Sequence, residues 1–296
     1  MEQFKGTAAV VRRALEHVFE ALPPGDAIAR CAVGPGRVPV RFDLAGAVGP
    51  APVLRASSSV VAAPSMDGAI AAAIALEHDG LLFGRFRHDG STIVVEQAIL
   101  GGPTLDAREV QIAAWTIGWA AAAYRPRWER HLGGDALGGD LPVPAVEPRR
   151  GVAERIASTT ALVERDLAAR YGTFDHDPTW GYHGPFGSAR VFVDVRHTLE
   201  VSTVVLVTSP ILSAVALTEA LALDVHALAA DRSFVRFAYA ADRADLWVEH
   251  AILGDDLDAD ELFTAIAAVA ELADGEDDRL QSLHGGRRYA DLTAGP

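Results

Sequence analysis

Val94–Gly101 reads VVEQAILG, and Trp247–Gly254 reads WVEHAILG; six of the eight positions are identical. Each is a strand-like apolar run closed by glycine, the second arm of a hairpin. Just beyond, Leu105-Asp106-Ala107-Arg108-Glu109 matches Leu257-Asp258-Ala259-Asp260-Glu261 at four of five positions. Further out, Gly133-Gly134 falls opposite Gly285-Gly286. Upstream, Leu82, Gly84 and Phe86 are expected opposite Val235, Phe237 and Tyr239. The spacing is near 150 residues, too long for a solenoid repeat of about 20–50 residues, so the chain holds two copies of one domain.

Both copies give the same element order. Helices are expected at about 7–22 and 152–171, then at 66–78 and 215–230, and last at 106–124 and 258–273. Strands are expected at 28–33, 38–44 and 53–61 in the first copy and at 190–195 and 199–208 in the second. The hairpins run 81–87 with 91–100 and 234–240 with 245–253. The fold class is therefore α+β: two tandem α-β-β-(β)-α-β-β-α domains, each an antiparallel sheet covered by helices. The domains are expected at 1–132 and 152–296, joined by the Gly- and Pro-dense linker 133–151.

Composition narrows the function. Half of the 296 residues are hydrophobic, and 40 acidic against 26 basic residues give a charge of −14. That balance argues against a general nucleic-acid binder, which needs Lys and Arg for phosphate. Residues 1–148 hold 13 basic and 16 acidic residues, a net of −3, and residues 149–296 hold 13 and 24, a net of −11. Cys31 is the only cysteine, so an internal disulfide and a multi-cysteine metal site are excluded. Arg12, Arg13, Glu16 and Glu20 interrupt any signal-peptide core. The uncharged stretch Val201–Thr218 contains Pro210 and reads as a strand running into a turn and a helix. A cytoplasmic protein without a membrane partner is expected.

No residue pattern carries a reaction. There is no G-x-S-x-G, no H-E-x-x-H and no phosphate loop, so no catalytic residue, metal or cofactor is expected. Asp106 with Glu109, and Asp258 with Glu261, read as helix N-terminal caps rather than acid–base pairs. The acidic run at 255–261 fails as a calcium loop, because Glu261 stands where glycine is needed. Glu96 and Glu249 match between copies, by inherited edge or surface placement or by a binding role. Asp175, His176, Asp177 and His183 crowd the aromatic stretch 174–187. A metal or small-molecule site there is the alternative; an aromatic loop for partner contact is the simpler reading.

The last helix separates the copies. Val110, Ala113, Ala114, Ile117, Ala121 and Tyr124 form one apolar stripe, matched by Leu262, Ala265, Ile266, Val269 and Ala273. On the opposite side the first copy holds Ile112, Trp115 and Trp119, and the second holds Thr264, Ala267 and Glu271. The candidate partner-binding residues are therefore Ile112, Trp115, Trp119, Trp180, Tyr182 and Phe186. The first half is expected to be the sticky one and the second the solubilising one.

The V-E-x-A-I-L strand followed by L-D-x-x-E, with this element order in both halves, resembles the YbjN and type III secretion chaperone-like superfamily, of the TY-Chap type. That resemblance implies a non-enzymatic chaperone-like protein whose partner is a client protein or peptide. It also implies a monomer with an internal pseudo-dimer, or a homodimer, since relatives pair through the middle helix and sheet.

Overall fold

A computed structural model describes residues 2–81, 83–133, 151–172, 174–198, 202–230, 232–255 and 257–293. The expected linker 133–151 lies, apart from its two end glycines, outside the described residues. Contacts divide the chain into two compact units, Met1–Met66 with Phe83–Ala145, and Asp67–Leu82 with Val146–Pro296.

The first unit runs α1 (Glu2–Leu15), β1 (Glu20–Ala21), β2 (Ala29–Val33), β3 (Val38–Val48) and β4 (Ala51–Ala62). After α2 (Gly68–Asp79), which belongs to the second unit, come β5 (Arg85–His88), β6 (Thr92–Leu100) and α3 (Ala107–His131). Its sheet is antiparallel with strand order β1-β2-β3-β4-β6-β5. The second unit contains α4 (Val152–Tyr171), β7 (Asp175–Asp177), β8 (Gly181–Phe186), β9 (Ala189–Thr198), β10 (Ser202–Ser213) and α5 (Glu219–Ala230). It continues with β11 (Arg236–Ala240), β12 (Asp245–Leu253), α6 (Ala259–His284), β13 (Arg287–Arg288) and α7 (Tyr289–Thr293). Its sheet, also antiparallel, has the order β11-β12-β10-β9-β8-β7, with β13 added on β10. The fold is α+β in two tandem sheets, with four strands before each middle helix.

The long last helix covers each sheet. Val110, Ala113, Ala114, Ile117 and Ala121 of α3 are fully buried, as are Leu262, Ile266 and Val269 of α6. Each large aliphatic side chain so placed contributes about 1.5–3 kcal/mol. α3 comes close to β2 because residue 118 is glycine. A Cβ there would stand 2.7 Å from Val33 Cβ. Both helices start on the expected caps. Asp106 Oδ1 accepts from the Glu109 N–H at 2.7 Å, and Asp258 Oδ1 from the Glu261 N–H at 2.8 Å.

Several boundaries differ from the sequence reading. The first helix stops at Leu15, because Glu20–Ala21 pair with Cys31–Ala32 as a short strand. α3 does not end at 124 but passes through Pro126 to His131. A helix-interior proline costs about 3 kcal/mol. Trp128, fully buried, holds the extra turns by packing on Phe86 at 5.5 Å, and Arg125 Nε donates to the Val60 carbonyl. α6 runs on to His284, because Leu272 and Leu280 stay buried, Asp274 accepts from the Ser188 N–H and Asp277 accepts from the Ser188 hydroxyl. The stretch 174–187 is a β7–β8 hairpin rather than a loop. Asp177 Oδ1 accepts from the Thr179 and Trp180 N–H groups and closes its turn.

The hairpin alignment also shifts. Arg85 pairs with Glu96, and Arg236 with Glu249, so Phe86 corresponds to Phe237 and not to Tyr239. Two more residues separate Arg236 from Glu249 than separate Arg85 from Glu96. Glu96 and Glu249 are interior rather than at an edge or the surface. Glu96 is 2% exposed and meets Arg85 at 2.6 Å, Arg87 at 3.1 Å and Arg55 at 3.6 Å. Replacing Glu96 by Ala would strand the buried Arg85 charge. The expected loss is about 3–5 kcal/mol in denaturant titration of the full chain, against under about 1 kcal/mol for a surface pair such as Arg37–Glu20.

Candidate functional site

The helices α4 and α6 bury one face of the second sheet through Val163, Leu167, Val191, Val193, Val205, Val207 and Val248. Strand alternation then sends the intervening residues to the other face. Phe192, Asp194 and Arg196 of β9, Leu206 and Thr208 of β10, Trp247 and Glu249 of β12, and Arg236 and Ala238 of β11 line an open cavity of about 120 Å³ there. Trp180, from the β7–β8 turn, and Asp79 and Leu81, at the end of α2, complete its wall.

The second unit includes α2 because that helix packs on α5 and along the edge strand β11. Asp67 caps it by accepting from the Ile70 N–H at 2.9 Å. Buried His78 donates from Nδ1 to the Phe237 carbonyl at 2.7 Å. An edge strand's unpaired backbone is thereby covered. The same helix end brings the Asp79 carboxylate to the cavity.

Aromatic rings dominate one side of the cavity. Trp180 is 41% exposed and stacks on Trp247, with centroids 6.1 Å apart and planes at 17°. Phe192 lies 6.0 Å from Trp180, and the Arg243 guanidinium sits 5.7 Å over the Trp247 ring. Trp247 Nε1 is buried and has no hydrogen-bond partner among the described residues. Charges line the other side in pairs, Arg236 with Glu249 at 2.8 Å and Arg196 with Asp194 at 2.6 Å.

Burial raises the Glu249 carboxyl above its ordinary 4.5, against the pull of Arg236, and Asp79 raises it further. Burial likewise raises Asp79. Glu96, at the matching rung of the first sheet, is desolvated too, yet Arg85, Arg87 and Arg55 together hold it below 4.5. The face of the first sheet turned away from α3 thus carries an ion network, Arg41 with Asp43 and Arg55, Arg85 and Arg87 around Glu96. The second unit places Trp247 where the first has Val94.

The candidate residues do not form one surface. Trp180 belongs to the open cleft. Tyr182 and Phe186 turn to the opposite side of the sheet and pack against the core beside Tyr171 and Phe174. Ile112, Trp115 and Trp119 are half-buried on α3 of the first unit, while Ala267 and Glu271 of α6 are exposed. The stacked tryptophan at 41% exposure lies in the acidic second half. His176 lies against the Tyr182 ring, and His183 Nδ1 meets Arg190 at 2.8 Å. Among the described residues no group of three or more His, Cys, Asp and Glu could hold a metal ion. No described helix is long and apolar enough to cross a membrane. Trp247, Phe192, Arg236 and Asp79 were not among the expected site residues. The one signal for Trp247 was the tryptophan replacing Val94 at the head of the repeated strand.

Residues 157–292 match the family described as T3SS (YopN, CesT) and YbjN peptide-binding chaperone 1, TY-Chap1. That stretch is similar to the family over most of the second unit. No curated protein matches the chain. The TY-Chap1 match spans α4 through α6 and β13, and so contains every cavity residue except Asp79 and Leu81.

The two matched glutamates should answer pH in opposite senses. A raised folded-state pKa gives stability that is present below 4.5 and lost as pH climbs through the folded value, the case of Glu249. A lowered one gives stability present above 4.5 and lost as pH falls, the case of Glu96. Thermal melts between about pH 4 and pH 8 should show Glu249→Gln removing a decline toward neutral pH and Glu96→Gln removing a decline toward acid. Unchanged slopes would contradict the assignment.

Proposed function

We propose that this protein is a non-enzymatic, chaperone-like binder that holds a segment of a client polypeptide in the open cleft of its second unit. The stacked, exposed Trp180 on Trp247 carries the reading, since it lies in the half that matches a peptide-binding chaperone family. The cavity's 120 Å³ supports a client side chain over a free small molecule, whose pockets run about 300–1,000 Å³. The flanking charged pairs supply orientation. No cofactor takes part in this reading, and the site of action is cytoplasmic.

As sequence copies the domains run 1–132 and 152–296, with α2 of the first copy packed in the second unit. The packing of α2 on α5 supports an internal pair of middle helices and hence a monomer. Ile112, Trp115 and Trp119 form a second contact surface on α3.

An array of twelve-residue peptides, probed with wild-type protein and with Trp180→Ala/Trp247→Ala, tests the cleft. Loss of two anchoring tryptophans should weaken selected peptides at least about 30-fold, the equivalent of about 2 kcal/mol, with the thermal midpoint preserved. A peptide set that both proteins bind alike would sink the cleft reading. In the same assay Trp115→Ala with Trp119→Glu should reduce capture without unfolding the protein. Unfolding by that pair would make the α3 face internal core.

A further inference from the structure

β10 outlasts its neighbour. β9 stops pairing at Phe192 opposite Thr208, whereas β10 continues to Ser213. The exposed edge is taken by the chain itself. Arg288 pairs with Leu212 and Arg287 with Ser213, antiparallel, as β13. Gly285 and Gly286, both at positive φ, make the turn that brings it back. A Cβ on Gly286 would lie 2.9 Å from Val215 Cβ and 3.0 Å from the Ser213 carbonyl oxygen. α7 then packs on β9 and β10, with the Tyr289 ring 6.0 Å from Phe192 and nearly perpendicular to it. Phe192 is the same ring that touches Trp180 in the cleft.

The attachment is short, two ladder rungs followed by a five-residue helix. Its ion pairs, Arg288 with Asp278 of α6 and Arg288 with Asp291, sit at the surface, where such pairs hold weakly. Tyr289 brings one half-buried ring. A segment so held is exchangeable for another of like chemistry, and backbone pairing of this kind accepts any extended chain with suitable flanking side chains.

We propose that the Leu212–Ser213 edge of β10, with Phe192 beside it, is a strand-addition site for extended segments carrying two basic residues followed by an aromatic one. Gly286–Thr293 is its resident occupant. The inference rests on the peptide-binding reading above and names the sequence class. Arg288 shows where a basic side chain meets Asp278, Tyr289 shows where an aromatic one meets Phe192, and the −11 charge of residues 149–296 favours a basic segment. Bound there, a client lies against the wall of the tryptophan cleft.

The probe is a fluorescein-labelled peptide of residues 286–293, GRRYADLT. Fluorescence anisotropy should show it binding the chain truncated after Gly285 at least about tenfold more tightly than the full chain, whose own segment competes at high effective concentration. The peptide carrying R288S and Y289S should not bind. Equal binding to both chains, or none to the truncated chain, overturns the site. Where the truncated chain fails to fold, Gly286→Val in the full chain undocks the segment. Probe binding to that variant supports the proposal, and its absence overturns it. Array peptides that need Trp180 and Trp247, found alongside a probe that fails on the truncated chain, refute the edge site and leave the cleft reading intact.

Discussion

Each unit stands on the contact between its long last helix and one face of its sheet. The stripe of α3 or α6 has to be dry for the domain to fold, so its residues are fixed in kind in both copies. That constraint commits one face of each sheet and leaves the other to different side chains in the two copies. Those second faces have diverged as far as the covered ones have stayed alike. One became a network of arginines around Glu96, the other a cleft walled by Trp180, Phe192 and Trp247.

The contrast between Glu96 and Glu249 follows from that divergence. Both occupy the same rung of the same hairpin, each opposite an arginine. Three cations surround Glu96, and its charge is stabilised despite burial. Glu249 has Arg236 in contact and Asp79 nearby, so burial prevails. An identical residue in an identical register thus holds opposite electrostatic roles, decided by side chains on neighbouring strands.

Much of the fold was legible because its determinants are local. The hairpin strand, the Asp cap and the apolar stripe lie within about 30 residues of one another and recur in both halves. The cleft was not legible for the opposite reason. Trp180 and Trp247 meet only once β8, β9, β10 and β12 have assembled in an order that differs from chain order. The aromatic stretch 174–187 looked like one cluster, yet the sheet sends Trp180 to one side and Tyr182 and Phe186 to the other. The last helix of the first copy was expected to end near 124, and the buried Trp128 carries it on through Pro126.

The chain crosses into the second unit at residue 67 and returns at residue 83. During synthesis, therefore, α2 emerges long before α5 and β11, the surfaces it needs. Its sequence, GAIAAAIALEHD, is largely apolar and has to wait for roughly 150 further residues. The first unit must close around a gap in its own chain, and the second cannot finish without a helix made earlier. Completion of the second unit therefore waits on a helix made with the first, and that apolar helix is without its packing surfaces until they emerge.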